Sequence, residues 1–491
     1  MADANRWPIL AIVSSALLMI VTDMTVLYTA LPTLTLALEA TANEKLWIIN
    51  AYPLVVAGLL PGLGTLGDKL GHKKIFIAGL MVYGAASLGA AFAPSAGILI
   101  AWRVALAVGA AMMMPATLSI IRLTFTDEKE RAFAIGIWAS VASGGAALGP
   151  VLGGLLLEYF WWGSVFLINV PIVLVALLAG TLLLPARAGD SRRHWDLIGS
   201  VQIMVGLIGV VFAIKEASRQ SPLWATVVAS GLIGAAALFL FVQRQRRSAA
   251  PLIDFSLFTN PRFSSGVATA MVASAVIIGV ELAFSQRLQL VLDYSPLQAG
   301  LLILPIPVAA FIAGPVAGLV LPYVAPSHFL SGTLLTTALA LAAFLLVRHH
   351  EPTMWILPLA VMGFGIGAAM TAASNAIMLS APEERAGMAA SVEEVSYELG
   401  GALGIALLGS LISVLYSRAL VLPGQIEIAP QARDSLDEAL MLASRLPMND
   451  AIEVSVLARS AFDQAFTGVI AAATACLIIV SVFVWHIRPR R

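Results

Sequence analysis

Apolar stretches of roughly 20 residues, the length that lets an α-helix cross a bilayer, recur along the whole sequence. Only 11% of the residues are charged, against about 25% in an average soluble domain, so a soluble fold would leave much apolar surface in water. The sequence therefore predicts an all-α polytopic membrane protein. We expect fourteen spans, at residues 8–31, 46–66, 75–93, 97–121, 133–157, 164–184, 196–215, 222–242, 263–290, 297–322, 327–347, 353–374, 389–416 and 463–486.

The placement of lysine and arginine predicts the orientation of these spans. With the N-terminus inside, 18 of the 28 basic residues fall on inside segments and nine on outside segments, while Arg103 lies within a span. Basic residues favour the cytoplasmic side, so both termini are expected there. The first apolar run lacks a cleavage site and should remain as an anchor. The inside residues are Arg6, Lys69, Lys73, Lys74, Arg122, Lys129, Arg131, Arg187, Arg192, Arg193, Arg244, Arg246, Arg247, Arg262, Arg385, Arg488, Arg490 and Arg491.

Several classes of function are excluded by composition and by missing motifs. The 28 basic residues balance the 28 acidic ones, so the net charge suggests no nucleic-acid partner. The single cysteine, Cys476, rules out an internal disulfide and a cysteine-based metal site, and we interpret it as an apolar packing residue. Neither GxxxxGK[ST] nor HExxH occurs. We therefore expect no enzyme activity, no metal and no cofactor.

One connector, residues 417–462, is much longer than the others. Acidic and apolar residues alternate at helical spacing in 432–446 and again in 452–466, with Pro447 and Asn449 in the turn between them. This pattern predicts a small helical hairpin outside the membrane. The alternative is a disordered loop.

Two glycine motifs are the most specific features of the sequence. The first stands between spans 2 and 3 and reads Gly64-Thr-Leu-Gly-Asp68-Lys-Leu-Gly71-His-Lys73-Lys74. Its glycines permit a tight turn between closely packed helices, and one carboxylate sits among cations at the membrane boundary. The second lies in span 5, where small residues allow close helix approach and a proline bends the helix. It comprises Gly136, Gly145, Gly149, Pro150, Gly153 and Gly154.

These motifs resemble those of the major facilitator superfamily, and the resemblance covers nearly the full length. The first matches the cytoplasmic loop signature of that family, with His72 where arginine is usual. The second is similar to the signature of its drug:proton antiporter branches. Span 4 carries the related arginine motif as Arg103, Gly109 and Ala111, with Ala107 where a glycine is usual.

Further segments resemble particular branches of the family. Leu31-Pro32, the stretch 166–171 containing Asn169, and 196–199 are similar to the fourteen-span branch. The stretch 391–400 in span 13 resembles the pumps that export quaternary ammonium compounds and methyl viologen.

The resemblance implies a fold of two six-helix bundles, at 1–186 and 251–491, with two inserted helices at 187–250. A degenerate internal repeat agrees with this division, because Gly318–Phe329 lies where the second half should echo Gly64–Ile75. The implied function is proton-driven export of lipophilic organic cations by alternating access from a bacterial inner membrane. The implied partners are substrates, protons and lipid, and we expect a monomer. Asp68 would clamp the cytoplasmic side between states.

Five acidic residues are predicted inside spans, where a charged side chain costs at least about 2.5 kcal/mol and should face a cavity or a partner. Glu394 and Glu398 are one helical turn apart and share a face, whereas Glu393 points about 100° away from Glu394. One arginine accompanies several acids, so the interior should attract cations. Buried carboxyl groups also hold and release protons near neutral pH, which lets protons and cations compete. The candidate proton-coupling or cation-binding residues are Asp23, Glu281, Glu393, Glu394, Glu398 and Arg103.

Each candidate has a structural alternative. Asp23 and Arg103 could form a static buried pair, Glu281 could reach toward the outer interface, and Asp68 could be a solvated loop acid. Aromatic residues could stack on a flat cation, although membrane-interface anchoring or packing is the commoner role. These are Trp47, Tyr52, Trp138 and Tyr397.

Two other functions remain open at this stage. A proton-coupled carrier of a metabolite or natural product would share the motifs but would need fewer essential acids inside its spans. An intramembrane enzyme or a transport-inactive sensor would lack transport, and the sequence shows no nucleophile–base or metal motif for the enzyme.

Overall fold

The computed structural model describes residues 6–40, 42–185, 189, 195–217, 222–248, 251–422, 430–433 and 435–486. Within these ranges the regular structure is helical. The helices are α1 (Arg6–Ala37), α2 (Ala42–Leu70), α3 (His72–Ala91), α4 (Ala96–Thr124), α5 (Glu128–Tyr159), α6 (Ser164–Leu167), α7 (Asn169–Leu183), α8 (Leu197–Ala217), α9 (Trp224–Arg247), α10 (Pro261–Gln286), α11 (Pro296–Ile303), α12 (Pro305–Val320), α13 (Pro326–Val347), α14 (Ile356–Ser380), α15 (Ala386–Ala419), α16 (Leu436–Ala443) and α17 (Met448–His486).

The helices account for the predicted spans. Among the described residues, thirteen segments are long and apolar enough to cross a membrane. The remaining predicted span, 133–157, lies in α5, a 32-residue helix that packs along α1 and α12. Two predicted spans are built from a short helix followed by a longer one, α6 with α7 and α11 with α12. The predicted all-α membrane class is confirmed.

The long connector forms two helices, but the second is not separate from the last span. The first predicted segment, 432–446, contains α16, which packs against α17. The second, 452–466, is the first part of α17 and continues without a break into the last predicted span. Residues 423–429 and 434 lie outside the described residues, as do Arg187, Arg192, Arg193, Arg488, Arg490, Arg491 and the predicted boundaries at 186–187 and 250.

Helices α8 and α9, which the sequence predicts as an insert, pack against each other along their length. Helix α8 also contacts α2 and α15, one from each half of the chain. Apolar side chains fill this contact, where Val211 of α8 lies with Leu54 and Ala402 in one buried cluster. The insert therefore lies against the junction between α1–α7, the first half, and α10–α17, the second half.

The two halves meet at the end of the bundle that carries residues 64–74, which we call the Asp68 end; the opposite end is the far end. Helices α2 and α15 cross at Gly64, where a Cβ atom would lie 2.4 Å from the Gly387 carbonyl oxygen. Helices α5 and α12 cross at Gly318, where a Cβ atom would lie 2.5 Å from the Ala132 carbonyl oxygen. Gly318 opens the repeat of the Gly64 motif, so equivalent glycines bring the halves together twice.

We predict that Gly64→Ala destabilises this closed arrangement. The new Cβ would also lie 1.8 Å from the Ser391 hydroxyl oxygen, so α2 and α15 must separate, at a cost of about 1–3 kcal/mol. Gly332→Ala is the control, because nothing lies within 4 Å of its Cβ position. Thermal unfolding in detergent should show a lower Tm for Gly64→Ala alone, and a cysteine at the buried Met388 should become more reactive in that background. Identical behaviour of the two variants would mean that the crossing does not limit stability.

Candidate functional site

Asp23 and Arg103 form a buried ion pair in the first half. The Arg103 Nη1 atom donates to Asp23 Oδ2 at 2.9 Å, and the two residues are 1% and 3% exposed, respectively. Asn169 Nδ2 donates to the other carboxylate oxygen at 3.0 Å and lies 3.3 Å from Ser87 Oγ. Helices α1, α3, α4 and α7 therefore each contribute one member of a connected polar network.

The arginine side of this network is also held in place. Arg103 Nε donates to the Ile48 carbonyl oxygen at 3.3 Å, and the guanidinium carbon lies 4.7 Å from the centroid of the Tyr52 ring. The ion pair that the sequence left as an alternative is thus present. Removing one member would leave a buried charge without its counter-charge, which costs about 3–5 kcal/mol.

Glu393 is sealed between α14 and α15. Its side chain is 0% exposed, Ser374 of α14 donates a hydrogen bond to Oε1, and Oε2 is buried without a hydrogen-bond partner among the described residues. The Tyr397 hydroxyl lies 3.5 Å from Ser374 Oγ and donates to the Met370 carbonyl oxygen at 3.3 Å. This carboxyl group can hold a proton but does not face an open volume.

Glu394 and Glu398 lie on another face of α15. Glu394 is buried, and no hydrogen bond or ion pair is found for it among the described residues. Glu398 is half-buried, and its charge lies within electrostatic range of Glu394 and of Tyr52 in the first half. Glu398 therefore lies within electrostatic range of the first half, and Glu394 is its neighbour on the same helix face.

Glu281 lies on α10, half-buried, and no hydrogen bond or ion pair is found for it in the described part of the chain. It is two turns beyond Ser274, on the same helix face. Ser274 Oγ donates to the Tyr397 carbonyl oxygen at 2.7 Å, which fixes α10 against α15. Arg287, which directly follows α10 in the sequence, is buried at 2% exposure.

Asp68 lies at the start of a helix from the other half. Its carboxylate accepts hydrogen bonds from the backbone N–H groups of Gly387 at 2.8 Å and Met388 at 3.2 Å, both in the first turn of α15. His72 Nε2 lies 3.3 Å from the same carboxylate. First-turn N–H groups have no partner within their own helix, and the positive end of the helix dipole favours an anion there. Asp68 is therefore a buried contact between halves and not a solvated loop acid.

The rest of the first motif shapes the connection between α2 and α3. Gly71 adopts a φ of 96°, a left-handed conformation that favours glycine. Lys73 Nζ donates to the carbonyl oxygens of Thr181 and Leu184 at 2.9 and 2.7 Å, near the end of α7. Lys74 is exposed. The two lysines therefore differ in their contacts. Lys73 links α3 to α7, whereas the Lys74 side chain faces outward.

The motif of span 5 brings α5 against α1. A Cβ atom on Gly149 would lie 1.8 Å from Thr25 Oγ1, and one on Gly145 would lie 3.2 Å from Val21. Val21 and Thr25 stand on either side of Asp23 in α1. The span 5 motif therefore sets the position of α1, the helix that carries Asp23. Gly153 is buried, whereas nothing lies within 4 Å of a Cβ on Gly154. The side chain of Pro150 lies outside the described residues.

A second polar contact fastens the connector before α10 to the start of α15. Arg385 forms an ion pair with Asp254, and the Met388 sulfur accepts from the Asp254 backbone N–H at 3.4 Å. Hydrogen bonds from Ser256, and then the charge of Arg385, hold the pKa of Asp254 below its usual value. The Asp254 carboxylate therefore stays ionised throughout the neutral range.

The four aromatic candidates have packing partners in this structure. Trp47 stacks on Phe212 at 5.8 Å, and Trp138 Nε1 donates to Thr117 Oγ1 at 3.1 Å. The Tyr52 ring packs against the Arg103 guanidinium, and the Tyr397 hydroxyl donates a hydrogen bond to the Met370 carbonyl oxygen of α14.

Sequence reasoning gave no role to three polar residues that complete these networks. Asn169 belongs to a motif already noted, and its amide in an apolar stretch was a usable signal for a partner of a buried charge. Ser87 and Ser374 gave no such signal, because serine is common in membrane helices and satisfies its own hydroxyl on the preceding turn.

Comparisons with known proteins identify the family of this chain. The sequence profile of the Major Facilitator Superfamily matches residues 13–405. The chain is 40% identical over 486 residues to the methyl viologen resistance protein SmvA of Salmonella typhimurium, covering 98% of both chains. It is 38% identical over 473 residues to the multidrug efflux pump LfrA of Mycolicibacterium smegmatis, covering 95% of this chain and 94% of LfrA.

A solved structure shares the fold at low sequence identity. The human organic anion transporter MFSD10 (TETRAN) superposes with a TM-score of 0.61 at 15% identity, covering 97% of this chain and 100% of that one. The family resemblance predicted from the motifs is thus confirmed by sequence and by fold. The chain belongs to the major facilitator superfamily and is a multi-pass membrane transporter rather than an enzyme.

Proposed function

We propose that this protein exports lipophilic organic cations in exchange for protons, by alternating access. The names of its relatives support drug efflux in general, since they include a methyl viologen resistance protein and a multidrug efflux pump. Methyl viologen is a flat dication. The observation that carries the cation preference is the balance of buried charge in this chain.

That balance favours positive substrates. Among the buried arginines, Arg103 is already neutralised by Asp23 and Arg287 by Asp463. Glu281, Glu393 and Glu394 have no ion-pair partner among the described residues, and Glu398 stands one turn from Glu394. Carboxyl groups in a low dielectric need either a proton or a cation to remain there. A positive substrate and a proton would satisfy the same requirement, and this competition couples their movements.

The geometry of α15 supports separate roles for its three glutamates. Glu393 is sealed against Ser374 and has room for a proton but not for an organic cation. Glu398 lies within electrostatic range of Tyr52, which packs on Arg103 in the first half, and Glu394 is one turn away on the same face of α15. We assign substrate binding to Glu394 and Glu398, with a proton stored on Glu393 when the substrate is absent.

The Asp68 contact supplies the conformational part of the proposal. The positive-inside pattern assigns the Asp68 end to the cytoplasm. With that orientation, the closed crossings between the halves belong to a state sealed on the cytoplasmic side, and opening them requires Asp68 to leave the first turn of α15. The inner-membrane location and cytoplasmic termini belong to the same proposal.

Transport by purified protein tests the function directly. In proteoliposomes with an imposed pH gradient and no ATP, we expect uptake or release of ethidium that collapses when a protonophore removes the gradient. A sensor would move no dye. A metabolite carrier would leave ethidium untouched and would respond to a neutral or anionic solute.

We predict different losses for divalent and monovalent cations when one acid of the pair is neutralised. A dication gains from two negative charges, while a monocation needs one, so Glu394→Gln or Glu398→Gln should weaken methyl viologen binding more than ethidium binding. A charge-assisted contact is worth about 1.5–3 kcal/mol, which corresponds to roughly tenfold or more in Kd. The affinity of the wild-type protein for both cations should weaken as the pH is lowered, because protons compete for the same carboxyl groups. Equal losses for both dyes and a flat pH profile would show that the two glutamates are structural.

We predict that Asp68→Asn blocks turnover while leaving substrate affinity within about twofold, because the carboxylate lies at the Asp68 end, where it contacts the first turn of α15 and His72. Isothermal titration would give affinity, and the ethidium assay would give turnover. Lys74→Gln is a useful control, since Lys74 belongs to the same motif but is exposed. Loss of binding with normal turnover would contradict a conformational role for Asp68.

A further inference from the structure

A cluster of arginines surrounds a cavity at the far end of the second half, away from the acids of α15. The cavity has a volume of about 440 Å³ and opens beside the end of α13 and the exposed part of α17. Neither the transport proposal nor the family motifs assign it a role. Its lining includes Arg348, Arg459, Ser460, Asp463, Gln464 and Thr467.

A buried arginine fixes the wall of this cavity. Arg287 Nε donates to Asp463 Oδ1 at 2.6 Å, and its Nη2 donates to the Arg348 carbonyl oxygen at 3.2 Å. The guanidinium also lies 5.1 Å from the Phe466 ring and 5.7 Å from the Trp355 ring. Arg287, buried behind the cavity wall, therefore fixes the positions of Asp463 and of the Arg348 backbone.

Donors around the cavity exceed the acceptors available to them. Arg459 forms a two-pronged ion pair with Asp293, and Arg348 Nη1 donates to Leu345. The Nε atoms of Arg348 and Arg459 and the Nη1 atom of Arg287 are nevertheless buried without a hydrogen-bond partner in the described part of the chain. Buried N–H groups without an acceptor are rare in folded proteins, and two of these three belong to arginines that line the cavity, with Arg287 behind its wall, which points to a missing acceptor.

The charges point to an anion. Three arginines face two carboxylates, Asp293 and Asp463, both of which are already paired, and His349 adds a further donor that is 62% exposed. The local backbone is unusual as well. Residues 287–291 form a π-helical turn, and Asp293 has a φ of 56°, both features that recur at functional sites.

We propose that this cavity binds an oxyanion of the phosphate class, held by Arg348 and Arg459 and backed by Arg287. Arginine forks match the oxygen geometry of phosphate, and Ser460, Gln464 and Thr467 offer uncharged hydrogen-bonding groups on the same wall. Two sources share this chemistry: the headgroup of an anionic lipid at the membrane boundary, and free phosphate. This proposal does not depend on which substrate the protein transports.

The test compares anions on the full-length purified protein in a neutral detergent. One arm adds dioctanoyl phosphatidylglycerol, with dioctanoyl phosphatidylcholine as its control. The other adds sodium phosphate, with sodium chloride at equal ionic strength as its control. Tm and retained lipid by native mass spectrometry are the readouts, so transport activity is not involved.

The variants separate the site from general charge effects. Arg348→Gln removes one cation, and Ser460→Glu adds a competing carboxylate without breaking an ion pair. Arg445→Gln is the control, because Arg445 is exposed and lies outside the cavity. We expect the anion to bind at least about tenfold more weakly to both cavity variants and normally to Arg445→Gln.

Each outcome decides the proposal. A response to both phosphate and phosphatidylglycerol supports a site for the phosphate group itself, and a response to the lipid alone supports a lipid headgroup site. No response beyond the controls, or an Arg348→Gln protein that responds like wild type, would overturn the proposal and leave water as the acceptor for the buried arginine donors.

Discussion

Lipid offers no partner for a charge, so every ionisable group between the helix ends must be satisfied by the protein, by a proton or by a bound solute. Asp23 and Arg103 meet this requirement with each other and with Asn169. Glu394 and the Oε2 atom of Glu393 have no such partner among the described residues. Their unmet requirement is the physical basis for the cation and proton exchange proposed here, because a site that is stable only when occupied will exchange one occupant for another.

The same low dielectric supports the clamp role proposed for Asp68. Its carboxylate accepts two backbone N–H bonds, each worth about 1.5–3 kcal/mol with a charged acceptor. Their sum is comparable to the roughly 5.5 kcal/mol that moves a two-state equilibrium from 1:99 to 99:1. The contact can therefore hold the Asp68 end closed and still be broken during each cycle. The glycines at the crossings permit the close approach on which these hydrogen bonds depend.

Much of the fold could be predicted from the sequence, because a span of about 20 apolar residues has few structural options. The continuity of α17 was missed, since the turn at Pro447 was correctly placed but nothing local marked the boundary between an exposed helix and a span. For the site, the acidic residues and Arg103 could be predicted because a charged side chain inside a span costs free energy and therefore needs a function or a partner. Their partners could not be predicted, because the pairings of Asp23 with Asn169 and of Glu393 with Ser374 depend on helix contacts that no local pattern encodes.

The exchange of protons for cations can be measured without transport. Detergent-solubilised protein, kept in weakly buffered solution with a pH indicator, would be mixed with a saturating amount of methyl viologen or tetraphenylphosphonium. Displacement of protons from the acids of α15 predicts that binding releases protons, and that the double variant Glu394→Gln/Glu398→Gln, which has lost the substrate site, releases none. Tight binding of either cation with no proton release from the wild-type protein, and with an affinity independent of pH, would contradict the central claim.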